Sequence, residues 1–434
     1  MAWTFEQAQA FAYGFIRPTR RPIDRERPAR ARRLLALARQ KPSFGIVQVV
    51  GTKGKGSTSA LLASALQAQG LRVGLYTSPH LQHLTERVRI DGVPIAPECL
   101  AEHLQALEAL CRAVPDLAFT EVMLTAAVRA FQQARVDWAV IEAHLGGRYD
   151  ATQALSPDLC LVTTLGYDHT DLLGATLAEI AWHKAGALRP GVPALSAPQQ
   201  PQAAQVLRDE AARVGAPLAF VGEDWPYEAL PPGLEGQAIQ QGGQIWRCGL
   251  IGAHQANNLA LALAALHALG RDGLAWTPEQ AQAGLSQVRW PGRFEVVAHD
   301  PPLILDGAHN LESAQALADT LRALYPNKPI GLIYGAKPSK DSAAILGALL
   351  PLAQAVWMIA SQPTEADAQI ADAQALAALA CNLGWAGSLA TPPTLCQALE
   401  GARTWAAQTQ GAVVLCGSLY LVGEARTILG LSIA

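Results

Sequence analysis

A cluster of glycines, lysines and hydroxyls interrupts the sequence directly after a short apolar run. IVQVV (46–50) leads into GTKGKGST (51–58), and a helical pattern follows. Backbone N–H groups in such a strand-to-helix turn bind phosphate oxygens, and the helix N-terminus favours their negative charge. Lys55 can reach the β- and γ-phosphates of a nucleotide, while Ser57 or Thr58 lies where Mg²⁺ would be. The segment therefore predicts a nucleotide-binding loop.

This loop departs from the strict Walker spacing GxxxxGK[ST], because Val49 occupies the first glycine position. The alternative is an ordinary glycine-rich turn. Such a turn does not require a lysine followed by two small hydroxyls, so we favour nucleotide binding. Lys53, a second lysine inside the loop, is not explained by the spacing.

Apolar strand-like runs alternate with helical patterns through most of the chain and would position this loop. The first runs are 46–50, 72–76, 138–143 and 159–164. Continuous apolar strands joined by helices indicate a parallel sheet that is covered on both faces. Residues 222–250 break the pattern, because they are rich in Gly and Pro and contain AIQQ and QIWRC. They predict an antiparallel appendage.

A second alternation of strands and helices follows the segment VRWPGRFEVV (288–297), whose Pro-Gly pair is typical of a joint between domains. Its strand candidates are PLILD, PIGLIYG, AVWMIA and AVVLCGS. We therefore predict an α/β protein with a large parallel-sheet domain at 1–294. A smaller, doubly wound domain is predicted at 295–434.

The composition excludes several classes of protein. The chain has 434 residues, of which 50% are hydrophobic and 16% charged, so wholesale disorder is excluded. A net charge of −3 gives no general attraction to nucleic acid or membranes. The basic segment 18–33 is better explained as a solvated helix start than as a nucleic-acid arm. Seven scattered cysteines without CxxC spacing and the absence of a signal-like start predict a cytoplasmic protein.

Nine later motifs, together with the loop, resemble those of the folylpolyglutamate synthase/dihydrofolate synthase family of the Mur ligase superfamily. The motifs are TSPHL (77–81), TERVRIDG (85–92), EAHLGGRYDAT (142–152), GYDHT (166–170), HKAG (183–186), HQANN (254–258), WPGRFE (290–295), LDGAHN (305–310) and GSLYLVGE (417–424). Their order matches from residue 46 to nearly the end of the chain. Each motif alone is weak, but the set is specific.

The resemblance implies an ADP-forming amide ligase with a P-loop ATPase domain and a C-terminal, Rossmann-like amino-acid-binding domain. In this family ATP phosphorylates a carboxylate, an amine attacks the acyl phosphate, and phosphate leaves. The implied partners are a small carboxylate acceptor, dihydropteroate or a folate, and glutamate. We expect a monomer that binds neither nucleic acid nor membrane. Metal ions and cationic side chains are expected to catalyse the phosphoryl transfer, because they stabilise charge on the phosphoryl oxygens.

Similarity to the family implies two Mg²⁺ sites. The implied ligands are Ser57, Ser78, Glu142, His169 and Lys184. Hard oxygen ligands suit Mg²⁺, whereas His169 is predicted from its motif rather than from metal preference. Lys184 resembles a lysine that many of these enzymes carry as a carbamate, and a solvated helix lysine is the alternative.

The same resemblance assigns roles in catalysis and binding. The implied catalytic residues are Lys55, Glu142, His169, Lys184 and Arg293. The implied ATP contacts are Gly51, Thr52, Lys53, Gly54, Lys55, Gly56, Ser57, Thr58, Asn258, Arg293 and Asp306. The implied substrate-binding residues are His80, Thr120, Glu121, Arg148, Asp150, Ala151, His309 and Ser418. Arg293 would deliver a cation across the cleft between the domains, and an interdomain salt bridge is its alternative role.

Several positions depart from the family pattern. Lys53 replaces the usual asparagine, and Thr120 replaces an aromatic residue expected to stack on the pterin, unless Phe119 substitutes for it. The usual DKD triplet reads SKD (339–341), and a Pro-Arg-Ala element reads PTEA (363–366).

These departures leave the acceptor open between a folate and another aromatic or heterocyclic carboxylate. An inactive ATP-binding protein is a third interpretation, disfavoured because the charged residues implied in catalysis are all present. A nucleic-acid-dependent ATPase based on the basic segment is the fourth, and the overall charge argues against it.

Overall fold

The computed structural model describes residues 1–16, 23–338, 340–360 and 372–433. Part of the basic segment 18–33, Ser339 of the SKD triplet and the PTEA element lie outside the described residues. Among the helices that the structure describes, none combines the length and the hydrophobicity needed to cross a membrane.

A mainly parallel eight-stranded sheet forms the centre of the first part of the chain. Its strands are β1 (Gly45–Val50), β2 (Val73–Tyr76), β3 (Val88–Ile90), β4 (Val93–Pro94), β5 (Trp138–Glu142), β6 (Leu159–Val162), β7 (Ala194–Ser196) and β8 (Leu218–Phe220). They lie in the order β4-β3-β2-β5-β1-β6-β7-β8. The four predicted strands are confirmed as β1, β2, β5 and β6, and they are buried because helices cover both faces.

One edge of this sheet is an antiparallel hairpin that we did not predict. Strands β3 and β4 pair through Ile90 and Val93, so the connecting loop has two residues. Asp91 and Gly92 both have positive φ, at 51° and 79°. Asp-Gly is the preferred dipeptide for such a turn, so the signal was present in the motif TERVRIDG.

The antiparallel appendage is confirmed as a three-stranded sheet. It contains β9 (Glu228–Ala229), β10 (Gln237–Gln241) and β11 (Gln244–Cys248). Ile239 and Trp246 of this sheet are buried against the helical layer of the large sheet, which fixes the appendage to it.

A six-stranded sheet forms the second unit. Its strands are β12 (Glu295–His299), β13 (Pro302–Leu305), β14 (Ile330–Tyr334), β15 (Ala353–Met358), β16 (Ser388–Ala390) and β17 (Ala412–Cys416). They lie in the order β12-β13-β17-β14-β15-β16, and only β12 is antiparallel to its neighbour. The four predicted strands are confirmed. The boundary between residues 294 and 295 stays a prediction, and it coincides with the start of β12.

Helices cover both sheets and complete the α/β architecture. They are α1 (Phe5–Tyr13), α2 (Arg27–Leu37), α3 (Lys55–Gln67), α4 (Pro97–Gln105), α5 (Glu108–Arg112), α6 (Phe119–Ala134), α7 (Thr170–Leu173), α8 (Leu177–Ala185), α9 (Pro201–Val214), α10 (Gln255–Arg271), α11 (Pro278–Gln287), α12 (Leu311–Leu324), α13 (Ser342–Leu349), α14 (Ala373–Asn382), α15 (Leu395–Thr409) and α16 (Leu419–Ile428). Short 3-10 helices lie at Leu84–Arg87, Ala151–Ala154 and Leu350–Leu352.

Candidate active site

The nucleotide-binding loop joins β1 to α3, as the sequence predicts. Gly54 precedes the helix with a φ of 80°, and Gly51 has a φ of 147°. A Cβ atom at Gly54 would lie 2.1 Å from Oδ1 of Asn258, and one at Gly51 would lie 1.9 Å from Oγ1 of Thr163. Both positions therefore require glycine, because the backbone conformation and the neighbouring side chains exclude a larger residue.

The carboxyl ends of four parallel strands bring the predicted chemical groups to one edge of the large sheet. Ser78 follows β2, Glu142 ends β5, the nucleotide-binding loop follows β1, and His169 follows β6. Since β2, β5, β1 and β6 are adjacent and parallel, these groups share one edge although they are distant in sequence. Ligands of open α/β sheets bind at this edge.

Glu142 lies at the centre of the cluster and is 3% exposed. Its Oε1 is 3.9 Å from Nζ of Lys55, and its Oε2 accepts a hydrogen bond of 3.2 Å from the backbone N–H of Ser78. Burial raises the pKa of the carboxyl group, while Lys55 and the hydrogen bond from Ser78 oppose this effect. A buried carboxylate beside a lysine is suited to hold a divalent cation.

Lys184 approaches the same loop from α8. Its side chain is buried, and Nζ donates a hydrogen bond of 2.8 Å to the carbonyl oxygen of Gly51. Burial, with a further contribution from the charge of Lys55, lowers the pKa of this amine to about 7. A large fraction of Lys184 is therefore neutral near pH 7, unlike an exposed lysine.

Ser57 and Thr58, which follow the loop glycines, lie in the first turn of α3. Ser57 is 3% exposed, and Thr58 is fully buried. Oγ1 of Thr58 donates to Oδ1 of Asn258 at 3.3 Å, and Nδ2 of Asn258 donates to Oε1 of Gln255 at 2.7 Å. Asn258 thus supports the helix that begins at the loop.

His169 lies at the start of the short helix α7 with a positive φ of 51°. Its side chain is half exposed, and its Nε2 is 4.0 Å from Oδ2 of Asp168. Its backbone N–H donates to Oδ1 of Asp168 at 3.0 Å. The structure therefore places His169 on a loop at the edge of the site rather than in direct contact with Glu142.

Arg293 lies two residues before β12, at the joint, and it is attached to the second unit because the adjacent Phe294 belongs to the core of that unit. Asp306 follows β13 of the same unit. The two oxygens of Asp306 accept hydrogen bonds from the backbone N–H groups of Phe294, at 2.7 Å, and Ala308, at 2.8 Å. Asp306 therefore shapes the loop that carries Arg293. Burial lowers the pKa of Arg293, and the charges of Asp306 and Glu142 oppose this effect. Arg293 lines a pocket together with Thr77 and Pro79, the two neighbours of Ser78, so the second unit brings this residue to the edge of the large sheet that carries the cluster.

Two predicted substrate residues belong to the same face of the second unit. Ser418 precedes α16, and its Oγ accepts a hydrogen bond of 3.2 Å from the backbone N–H of Tyr420. His309 contacts the carbonyl oxygen of Gly307 through Nδ1 at 2.7 Å, and burial lowers the pKa of this imidazole to about 4. A neutral His309 at pH 7 is consistent with binding of a polar group rather than of an anion.

Three other predicted substrate residues are engaged within the protein. Glu121 is fully buried, with Oε1 bound by Arg30 at 3.0 Å and Oε2 by the backbone N–H of Ala118 at 3.2 Å. Asp150 caps its own loop and is 1% exposed, like the neighbouring Ala151, which is 2% exposed. The structure does not bring these three to the cluster around Glu142.

Arg148 is also turned away from the cluster. Its guanidinium donates to Oε1 of Glu210 at 2.5 Å and lies 4.0 Å from the ring centroid of Trp182. The functional role predicted for Arg148 therefore has no support from its contacts.

Arg87 is a residue that sequence analysis did not single out, although it lies in the motif TERVRIDG. It is 6% exposed, its Nε donates to Nδ1 of His80 at 2.9 Å, and its guanidinium lies 4.9 Å from the ring of Phe119. One terminal nitrogen has no hydrogen-bond partner among the described residues. A buried arginine with a free donor is suited to bind a carboxylate or carbonyl group. Arg87 ends the 3-10 helix before β3, and the alternation of Arg87 and Arg89 with the apolar Val88 and Ile90 was the available signal.

The residues present fit a hard divalent cation. Within the described ranges, no three His, Cys, Asp or Glu side chains cluster as metal ligands. Mg²⁺ does not require such a cluster, because it is commonly held by one or two carboxylates together with water and substrate phosphates. Glu142 and the hydroxyls of Ser57 and Ser78 supply the required type of oxygen ligand at this edge.

The fold and the site together define a Mur-ligase-like protein. A glycine-rich loop lies at the edge of a large parallel sheet, and Arg293 of a smaller α/β unit lines a pocket with Thr77 and Pro79 at the same edge. Residues 293–428 match the family model described as dihydrofolate synthetase, C-terminal domain.

Comparisons with known proteins identify the family. The chain is 35% identical to the dihydrofolate synthase/folylpolyglutamate synthase of Bacillus subtilis over 342 residues, which cover 75% of this chain and 79% of the relative. The folylpolyglutamate synthase of Mycobacterium tuberculosis complexed with ADP superimposes with a TM-score of 0.88 at 30% identity, covering 99% of this chain and 98% of that one.

A second solved structure is that of the bifunctional folylpolyglutamate synthase/dihydrofolate synthase from Yersinia pestis complexed with AMPPNP and a Mn ion. It has a TM-score of 0.82 at 29% identity and covers 99% of this chain and 98% of that one. The chain belongs to the folylpolyglutamate synthase/dihydrofolate synthase family, and it is an enzyme of the acid–amino-acid ligase class.

Proposed function

We propose that this enzyme uses ATP to join glutamate to the carboxyl group of dihydropteroate or a folate, with release of ADP and phosphate. The observation that carries the proposal is the cluster of Lys55, Glu142 and Lys184 at the nucleotide-binding loop, with Arg293 facing it from the second unit. The names of the relatives and the ADP and AMPPNP bound by the solved structures support the same chemistry.

In the first step, a carboxylate oxygen of the acceptor attacks the γ-phosphorus of ATP, and the bond to the bridging oxygen of ADP breaks. The loop amides and Lys55 bind the phosphates, and Arg293 stabilises charge that develops on the transferring group. We assign Ser57, Ser78, Glu142 and His169 to two Mg²⁺ sites. When bound, Mg²⁺ neutralises phosphate charge and orients the oxygens for in-line transfer.

In the second step, the amine nitrogen of glutamate attacks the acyl carbon. The amide C–N bond forms, the C–O bond to phosphate breaks, and the amine loses a proton. We assign the glutamate carboxylates to Ser418 at the N-terminus of α16, because a helix N-terminus binds carboxylates. The nearby His309, whose imidazole is neutral at pH 7, is assigned to a hydrogen bond with a polar group of the substrate. Phosphate leaves as the final product.

For the acceptor we assign the region around Arg87, which contacts both His80 and the ring of Phe119. The ring of Phe119 lies 6.0 Å from that of Tyr13, which provides aromatic surface where Thr120 offers none. The hydroxyl of Thr120 donates to Glu121 at 3.2 Å, so the side chain is held within the start of α6. We therefore propose that Phe119 substitutes for the missing aromatic residue and that the acceptor is of the folate type.

Phosphate release from ATP tests the proposed reaction. The assay contains Mg²⁺ and glutamate and compares dihydropteroate, tetrahydrofolate and no acceptor, with products identified by mass. We expect acceptor-dependent phosphate release and a product heavier by one glutamyl residue. ATP bound without turnover on either acceptor would contradict the folate assignment and would favour another aromatic or heterocyclic carboxylate.

We also propose that Lys184 is carbamylated in the active enzyme. The modification requires a neutral amine, and the buried Nζ with its pKa of about 7 supplies one. The carbamate carbonyl carbon forms its bond to Nζ as CO₂ is captured and a proton is released. The resulting carboxylate would lie beside the loop at Gly51, where it can act as a further ligand of Mg²⁺.

Replacing Lys184 by alanine is expected to reduce the rate of ligation by about 100-fold, within the range seen when one stabilising group is removed from an active site. If the carbamate acts as a ligand, added formate should restore part of the lost activity. In the wild-type enzyme, ¹³C-bicarbonate should produce a carbamate resonance, and its yield should fall below pH 7 as Nζ becomes protonated.

The exposed Lys41 provides the matched control, because Lys41→Ala should change neither the activity nor the resonance. Wild-type activity that is independent of bicarbonate, with no carbamate resonance, would leave Lys184 as an amine that binds the carbonyl oxygen of Gly51.

A further inference from the structure

The unexplained lysine of the nucleotide-binding loop contacts the second unit. Nζ of Lys53 lies 2.7 Å from Oδ1 of Asn310 and 2.9 Å from Oε2 of Glu312. The two charged side chains are 25% and 39% exposed, so the ion pair is partly shielded from water. Lys53 therefore directs its charge across the domain cleft.

Glu312 binds a second loop of the large domain at the same time. Its Oε1 accepts a hydrogen bond of 3.2 Å from the backbone N–H of Tyr167, two residues before His169. One carboxylate therefore contacts both the nucleotide-binding loop and the loop of His169. Its position in the first turn of α12 suits a negative charge, because the N-terminus of a helix carries partial positive charge.

A second ion pair of opposite polarity lies beside the first. Asp168, on the loop of His169, is 3.5 Å from Nζ of Lys340 in the second unit. The large domain thus contributes a lysine and an aspartate, and the second unit contributes a glutamate and a lysine. If the two units shifted past each other, each charge would approach a charge of the same sign. The two ion pairs therefore favour one relative position of the two units.

We propose that Lys53 and Glu312 are positioning residues that align the second unit with the nucleotide-binding loop and with the loop of His169. Domain closure then orders both loops at once and brings Arg293 to the phosphates. Lys53 acts through Glu312 rather than as a direct ligand of the nucleotide. This inference rests on the proposed ligase function, because it assigns the closed arrangement to the catalytic state.

A double-mutant cycle with Lys53→Met and Glu312→Ala tests the proposal. Each single variant should lower kcat/KM for ATP by about 5-fold. The double variant should lower it by clearly less than the product of the two effects, about 25-fold, because both changes remove the contact between Lys53 and Glu312. Increasing the salt concentration should lower wild-type activity but should have a smaller relative effect on the double variant, since salt screens partly exposed ion pairs. Lys328→Met is the matched control, because Lys328 contacts only the carbonyl of Gln410 within the second unit in the described contacts.

Hydrogen exchange in the presence of ADP provides a measurement that does not depend on turnover. Peptides covering 165–172 and 308–314 should exchange faster in each single variant than in the wild-type protein, while the unfolding temperature stays unchanged. If the wild-type enzyme shows no ligase activity but the variants exchange faster in these peptides, the proposed function is wrong and the positioning role of Lys53 and Glu312 is supported. Two results would overturn the positioning role. The first is a loss of kcat/KM in the double variant equal to the product of the losses in the single variants. The second is weaker ADP binding by Lys53→Met alone, with hydrogen exchange as in the wild-type protein.

Discussion

Replacing Lys55 by alanine is expected to lower ATP-dependent ligation by at least about 1,000-fold, because the change removes a cation from the transferring phosphates. Lys55 starts α3 and lies 3.9 Å from Glu142. Its loss would leave this buried carboxylate without its nearest opposing charge. The fold should persist, since the loop retains both of its required glycines.

The measurement is single-turnover formation of the glutamylated product, together with ADP binding by calorimetry. Circular dichroism and thermal unfolding establish whether the fold is intact. Lys41→Ala, at an exposed position before β1, serves as the control for removal of a lysine. Normal turnover by a folded Lys55→Ala enzyme would refute the assignment of this loop to the phosphates of ATP.

Replacing Arg293 by alanine is expected to have the second largest effect, a decrease of about 100-fold or more in kcat. The guanidinium belongs to the second unit, donates to the carbonyl oxygen of Gly292 at 2.9 Å and is electrostatically coupled to Glu142. In the proposed mechanism it reaches the phosphates only when the two units face each other. Because the nucleotide-binding loop remains complete, ADP affinity should change much less than kcat.

Arg289→Ala is a matched control for this prediction. Arg289 lies in the same joint but is exposed, and its guanidinium donates to the carbonyl oxygens of Ser286 and Val288. Rapid-quench measurement of acyl phosphate formation separates chemistry from product release. Equal decreases in kcat in the two variants would indicate that Arg293 stabilises the joint between the units, as in its alternative role as an interdomain salt bridge, and does not act on the transferring phosphate.

The sequence was sufficient for the central strands of both sheets and for the position of the glycine-rich loop between β1 and α3. Strand β1, its glycines and α3 are contiguous, so short-range backbone geometry specifies them. The edge hairpin was missed because strands β3 and β4 are short, and short runs carry little periodicity. For Arg148, the motif predicted substrate binding, but the helical Glu210 lies close enough to bind its guanidinium.

Sequence by itself determined the α/β fold with its mainly parallel sheets, the glycine-rich loop between β1 and α3, and the charged residues to which we assign roles in ligation. Only the tertiary structure decided which of those charges meet. Lys53 and Glu312 are 259 residues apart, and no local pattern links them. Their contact depends on how two sheets and their covering helices are placed, which is set by packing throughout both units rather than by either residue. The same physical reason explains why Glu121 and Asp150 are enclosed while Arg87 retains an unpaired donor in the described part of the chain.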